Sequence, residues 1–383
     1  MKKTKKTLVF RAATHIVTII ILPILFLFAL IARFFPKKID VGIGPVPMIN
    51  NIYFKKALEK SGYTCETFCK STYYITQDFD YIYGNNFLVF FIFSLFRYKI
   101  IYLYFNGYIL NRISLIARFE PSLLRLAKIK TVVMPYGSDC QILELTNNKL
   151  FINSVCKDYP KFSKFEHNNI RKNVELWTEN SDFVIGAMDS VDYLYHWDML
   201  LPCHFAIDLE KFDNFNNEGI NNNKKIKILH APNHIEIKGS KFIEKAIEEL
   251  KNEGYEVEYC FVQKMKNNEL LKLMKSCDLI IDQLVIGWHG IFALEAMALK
   301  KPVICYIRED LLQLYENSGC LEVNELPIIN ANVRTIKQVI KENLDKKKLE
   351  EIGIKSYNYV KKHHSLESIG LIFDKINKKL LEE

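Results

Sequence analysis

"LIIDQLVIGWHGIFALEAMALKKPVICY", residues 279–306, decides how the rest of the chain is read. The apolar run Leu279–Ile281 stops at Asp282, and a loop with Gly287, Trp288, His289 and Gly290 follows. Phe292, Leu294, Glu295, Met297 and Leu299 then recur as on a helix, and Pro302–Tyr306 reads as another buried strand. Strand, glycine loop, helix and strand make one unit of a parallel sheet. A helix that starts after a glycine loop exposes unpaired N–H groups and the positive end of its dipole. That end is a seat for phosphate. Glu295, one turn further in, is placed to grip whatever the phosphate is attached to.

The same alternation extends in both directions. Upstream, "IDVGIG" (39–44) reads as a strand ending in glycines, "NNIYFKKALEKSGY" as a helix closed by Gly62, and "TCETF" and "FDYIYG" as strands. "KIIYLYF", "TVVMPYGSD", "SDFVIGAM" and "MLLPCHFAID" continue the series, while 140–165 is poorly patterned. Phe87–Phe96 is apolar all round and reads as a buried helix or a membrane-touching face. Residues 213–225 are polar and Asn-rich, a linker by composition. After it come "KIKILHA", a helix to Gly254, "EVEYCFV", "NNELLKLMKSC" and "DLIID", with three helices in the tail. Two such series predict two doubly wound parallel domains with a cleft between them. The expected boundaries are 1–36 for an apolar N-terminal segment, 37–212, the linker 213–225, 226–364, and a C-terminal helix 365–383 packing back on the first domain.

Composition bounds the function. The chain has 383 residues, 49% hydrophobic and 25% charged, which suits two globular cores. Its formal charge of +8 points to an anionic partner. No aromatic RNA-binding motif or zinc-finger spacing accompanies that charge, so nucleic acid is not expected. The nine cysteines form no framework, which suits reduced thiols in a cytosol-like compartment and no metal site. Ile16–Ala32 is an uncharged apolar run with basic residues on both sides and no following cleavage site. It predicts membrane association, as a span or as a segment lying in the leaflet at an anionic surface. The charge bias alone would place the N-terminus inside and export the rest. We expect residues 37–383 on the cytoplasmic side instead, the side that the scattered thiols suit.

The ordered pieces "GIGP", "YLYFNG", "VVMPYGSD", "AIDLEKF", "KGS" and "FALEAMALKKPVI" resemble the retaining GT-B glycosyltransferases of the group 1 class, family four. The resemblance covers about residues 39–383, and the last piece is its most specific part. It implies a GT-B fold, with two Rossmann-like domains facing a cleft and a nucleotide-diphosphate sugar on the C-terminal one. Glu295 then matches the carboxylate that holds the ribose diol, and Lys238 the lysine that neutralises the leaving diphosphate. Backbone near His289, Gly290 and Ile291 would meet the phosphates, and Gly42 and Gly44 would face them from the other domain. Three positions depart from the family. Its first glutamate, which contacts the donor sugar, is Gly287 here; its arginine is Asn233; its histidine before Gly137 is Tyr136. His230, His234, Trp288 and His289 supply other polar groups nearby.

The expected catalytic set is Lys238, Tyr136, Asp139 and His289. The expected donor set is Glu295, Gly42, Gly44, Asn233, His234, Gly287, Trp288, Gly290 and Ile291, with no metal and no cofactor. Several have plainer readings: Asp139 as a turn cap, His230 as a core histidine, Trp288 as packing. The expected function is transfer of a sugar, with retention, from a nucleotide-diphosphate sugar to a lipid-linked or polysaccharide acceptor of cell-surface glycan or lipopolysaccharide synthesis. The alternatives are a nucleotide-sugar epimerase, which would need no acceptor, and a silent binding subunit, which would turn nothing over.

Overall fold

The computed structural model describes residues 18–72, 78–112, 114–160, 164–213 and 225–382. Their strands form two parallel sheets. The first contains β1 (Ile39–Ile43), β2 (Cys65–Cys69), β3 (Tyr81–Ile82), β4 (Tyr98–Tyr104), β5 (Lys130–Met134), β6 (Phe183–Ala187) and β7 (Met199–Leu201), in the order β3-β2-β1-β4-β5-β6-β7. The second contains β8 (Ile226–His230), β9 (Val257–Phe261), β10 (Leu279–Ile281), β11 (Val303–Cys305) and β12 (Ile329–Asn330), in the order β12-β11-β10-β8-β9. Helices cover both faces, which is why β4 and β10 are near-continuous apolar runs rather than alternating ones.

Each sheet reverses direction once, between β1 and β4 and between β8 and β10. Crevices beyond the carboxyl ends of strands at such points are the natural ligand sites. In the second sheet the register sets Ile281 opposite both His230 and Ile304. Asp282 and the loop after it therefore emerge beside the loop after His230.

The N-terminal expectation needs correction. Residues 18–32 are helical, and no helix among the described residues is long and apolar enough to cross a membrane. Residues 1–17, including the start of the expected run, lie outside the described residues. Leu25, Ala29 and Ala32 are buried in the core on one face of the first sheet, so this helix belongs to the first domain rather than forming a separate segment. Lys37 ties its end down, donating to the carbonyls of Ala32 and Leu95. The opposite side exposes Ile19, Ile20, Ile24, Leu27, Leu30, Ile31, Phe34 and Phe35. The Phe87–Leu95 helix is also two-sided: Phe90, Phe91 and Leu95 are buried, Val89 and Phe93 exposed.

Residues 214–224, most of the expected linker, lie outside the described residues. The last helix, Leu366–Glu382, returns to the first domain. Phe373 meets Phe54 and Tyr102 at ring-centre distances of 5.2 and 5.0 Å. Tyr102 donates to Asn377 and Tyr63 to Asp374, both at 2.8 Å.

The unpatterned region 140–165 contains a helix, Lys149–Asp158, that crosses to the second domain. Phe151 and Val155 pack with Ile237 and Val285. Asn148 caps this helix by accepting from Phe151 N and also donates to Val285 O at 2.7 Å. Asp158 accepts from the Ile237 N–H at 2.8 Å. Arg308 reaches back to Asp192 with two bonds, of 2.6 and 3.1 Å. These contacts fix the width of the cleft between the domains.

Candidate active site

The cleft has a volume of about 430 Å3, within the usual range for a small-molecule site. Pro47, Met48 and Ile49 after β1, Tyr136 and Gly137 after β5, and Met188 and Asp189 after β6 line one side. Asn233 and Lys238 after β8, Asn267, and Trp288 to Phe292 with Glu295 after β10 line the other.

The glycine loop is pinned by a residue the sequence reading did not single out. The Gln283 amide oxygen accepts from Val285 N and Ile286 N at 2.7 Å each, while its NH2 donates to Trp288 O and Tyr306 O at 3.2 and 2.9 Å. This delivers Gly290 as the N-cap of the Ile291–Ala298 helix, which has no side-chain cap and no acidic residue in its first turn. The positive end of that helix opens on the cleft.

Glu295 is buried beneath this end. Its carboxylate accepts from Asn267 Nδ2 at 3.0 Å. Lys211, 3.3 Å from both Asn267 Oδ1 and Tyr53 Oη, extends the network to the first domain. Burial pushes the Glu295 carboxyl up to about 7, against the opposing pull of Asn267 and Lys211. Lys238 Nζ donates to Asp282 Oδ1 at 2.5 Å. An ammonium has three donors, so two remain for the cleft.

His289 is buried, lines the cleft, and has no hydrogen-bond partner among the described residues on either ring nitrogen; Trp288 Nε1 also has none. Burial lowers the His289 imidazole to about 4, so it is neutral at pH 7. His230 takes the plainer reading. It lies between the Ile281 carbonyl at 2.9 Å and the Ser240 hydroxyl at 2.8 Å, so Nδ1 donates and Nε2 accepts.

Of the expected residues, the structure brings Lys238, Tyr136, His289, Glu295, Asn233, Trp288, Gly290 and Ile291 to one cleft. Five others do not line it. Asp139 is buried behind the loop and accepts from the backbone N–H groups of Phe105, Tyr136 and Gly137 at 2.9–3.0 Å; it holds two strand ends in place. Gly42 makes room for the Tyr98 ring and Gly44 for Phe68, so their lack of a side chain serves packing. His234 faces outward to Tyr159, with Nε2 2.9 Å from its hydroxyl. Gly287 faces Arg308.

Gly287 has φ +104, and a Cβ there would lie 2.5 Å from Arg308 Cδ. The absence of the family's glutamate is thus built into the backbone. Gly287→Glu is expected to cost at least about 2 kcal/mol, from the left-handed conformation and the displaced arginine together. Thermal unfolding checks this; an unchanged midpoint with tighter donor binding would contradict it. Asp189, Asn267, Lys211 and Gln283 were not singled out by sequence. Asp189 and Gln283 carried a usable signal, their place just beyond the carboxyl end of a predicted strand.

No protein-family model matches the sequence, and no curated protein does. Solved structures match along nearly the whole chain. Sucrose-phosphate synthase from Thermosynechococcus elongatus superposes with a TM-score of 0.56 at 12% identity, covering 90% of this chain and 100% of its own. An apo structure of OtsA gives 0.55 at 8% identity, covering 89% and 99%. An α-glucosyltransferase complexed with UDP-glucose and abasic-site DNA gives 0.51 at 11% identity, covering 88% and 98%. These are GT-B glycosyltransferases, and the fold of this chain is GT-B. At such identities the likeness speaks for the fold alone.

Proposed function

We propose that the chain is a glycosyltransferase that moves a sugar, with retention, from a nucleotide-diphosphate sugar to a lipid-linked or polysaccharide acceptor in cell-surface glycan synthesis. The observation that carries this reading is the convergence, in one interdomain cleft, of an uncapped helix N-terminus, Lys238 and the buried Glu295. The N-terminus and lysine suit a diphosphate, and a carboxylate that accepts two bonds suits a vicinal diol. Charge that grows on the leaving diphosphate is met by fixed positive groups, which lowers the barrier. That the α-glucosyltransferase with this fold holds UDP-glucose supports the same donor class. Calorimetry with UDP, GDP and TDP and their hexose derivatives tests it. We expect one base series to bind; no binding by any would contradict the reading.

We also propose that the protein works on the cytoplasmic face of a membrane. Support comes from the apolar exposed side of the 18–32 helix and the adjoining exposed Arg33 and Lys38. Basic residues near an anionic surface are worth about 1 kcal/mol each. Because Leu25, Ala29 and Ala32 are core residues, deleting the helix would open the first domain. The cleaner variant is Ile20→Ser, Ile24→Ser and Leu27→Ser together. We expect the parent chain to float with phosphatidylglycerol vesicles, and the triple variant to stay behind with donor binding intact. Equal flotation would contradict the assignment.

A further inference from the structure

Two carboxylates line the cleft among the described residues, Glu295 and Asp189. Asp189 lies in the Met188–Asp192 turn that follows β6, on the first-domain side. It is 8% exposed. Gln141, another cleft residue, lies beside it.

The turn that presents it is strained and held from across the cleft. Met188, immediately before it, has φ +54 without being glycine. A conformation of this kind persists only where its surroundings over-determine it, and it concentrates at ligand sites. Here the Met188 carbonyl accepts from the Tyr315 hydroxyl at 2.6 Å, and its N–H donates to Pro202 O at 3.3 Å. The Ser190 hydroxyl bonds the Ala187 backbone.

The adjacent arginine makes no hydrogen bond to Asp189, although its charge favours the ionised carboxylate. Arg308 spends Nε and Nη2 on Asp310, and Nη1 and Nη2 on Asp192. Its side chain occupies the space that a residue larger than Gly287 would need. Trp288 and His289 line the same cleft, and Trp288 Nε1 and both ring nitrogens of His289 are buried without hydrogen-bond partners among the described residues. Buried polar groups left unpaired are costly, and a site built to be filled is one reason to keep them.

We propose that Asp189 binds the hydroxyls of the transferred sugar, with the free ring nitrogens of Trp288 and His289 completing the sugar subsite. The inference rests on the glycosyltransferase reading and adds to it the residue that recognises the sugar. The ligand class is a neutral, hydroxyl-rich hexose on a nucleoside diphosphate. Each hydroxyl can donate to the carboxylate while accepting from an N–H.

The test compares Asp189→Asn with the parent protein by calorimetry, using UDP, GDP and TDP and then UDP-glucose, GDP-mannose and TDP-glucose. The parent is expected to bind one nucleotide-sugar at least tenfold tighter than its bare nucleotide. In the variant that gain should fall to less than threefold, with affinity for the bare nucleotide unchanged. The nucleotide value thus doubles as the check on folding. Retention of the full gain would overturn the proposal, and so would equal loss of both affinities, which would make Asp189 a structural carboxylate. A parent that binds the nucleotide with no gain from any sugar would overturn it too. A parent that binds no nucleotide would instead sink the glycosyltransferase reading itself.

Discussion

Lys238→Ala is expected to lower kcat by about 10²–10³-fold, the usual cost of removing one group that meets developing charge, with a much smaller change in KM. Negative charge on the leaving diphosphate grows toward the transition state, so its cation matters most there. The geometry adds a second effect. Asp282, whose side chain is 1% exposed, would lose its ammonium partner. Breaking a buried pair from one side costs about 3–5 kcal/mol. The double variant Lys238→Ala, Asp282→Asn separates the two roles, because it removes the orphaned charge. It should recover thermal stability and leave turnover low. Recovery of turnover along with stability would mean that Lys238 serves only to pair Asp282.

Glu295→Gln should weaken donor binding at least tenfold while the fold stays intact. The carboxylate's charge-assisted bonds are worth about 1.5–3 kcal/mol each, against about 0.5–1.5 kcal/mol for the amide's neutral ones. The raised carboxyl, at about 7, gives this substitution a pH signature. In the parent, donor affinity should fall as pH drops from 8 to 6 and the carboxylate takes up a proton. In the glutamine variant that segment should be flat. Stability runs the other way. A carboxyl whose value is raised on folding contributes stability that is fully present below about 4.5 and lost as pH rises through 7. The ligand-free variant should therefore unfold at higher temperature than the parent above pH 7, by the equivalent of up to roughly 3 kcal/mol, and match it in acid. Greater stability with poorer binding is the mark of a site residue. Unchanged affinity would remove Glu295 from the site.

How much of this was legible in the sequence varies with the range of the interactions. The strand–loop–helix unit at 279–306 could be read because its signals are local: an apolar run, glycines at a turn, then helical spacing. Gly62 and Gly254 stand at positive φ just past their helices, as their positions suggested. Glu295 stood out as one carboxylate among apolar neighbours. Composition cannot say what fills the other side of a residue. Gly42 and Gly44 looked like a ligand turn, but the rings of Tyr98 and Phe68 need the space. The run 16–32 reads as a membrane span or an interfacial segment because it is apolar, and nothing in it shows that Leu25, Ala29 and Ala32 are taken up by a domain core. Asp158 and Arg308 meet partners 79 and 116 residues away, and the Lys211–Asn267 contact spans 56. No periodicity carries such information.

Transfer of a sugar from a nucleotide in this cleft can be followed directly. The most direct measurement incubates the protein with isotopically labelled UDP-, GDP- and TDP-hexoses and a bacterial membrane lipid extract, then follows label and nucleotide together. One donor is expected to release its nucleoside diphosphate in equal amount to the label gained by the lipid fraction. Both should stop with Glu295→Gln or with the lipid omitted. Label left on the nucleotide as an epimerised sugar without any acceptor, or no consumption of any donor, would contradict it.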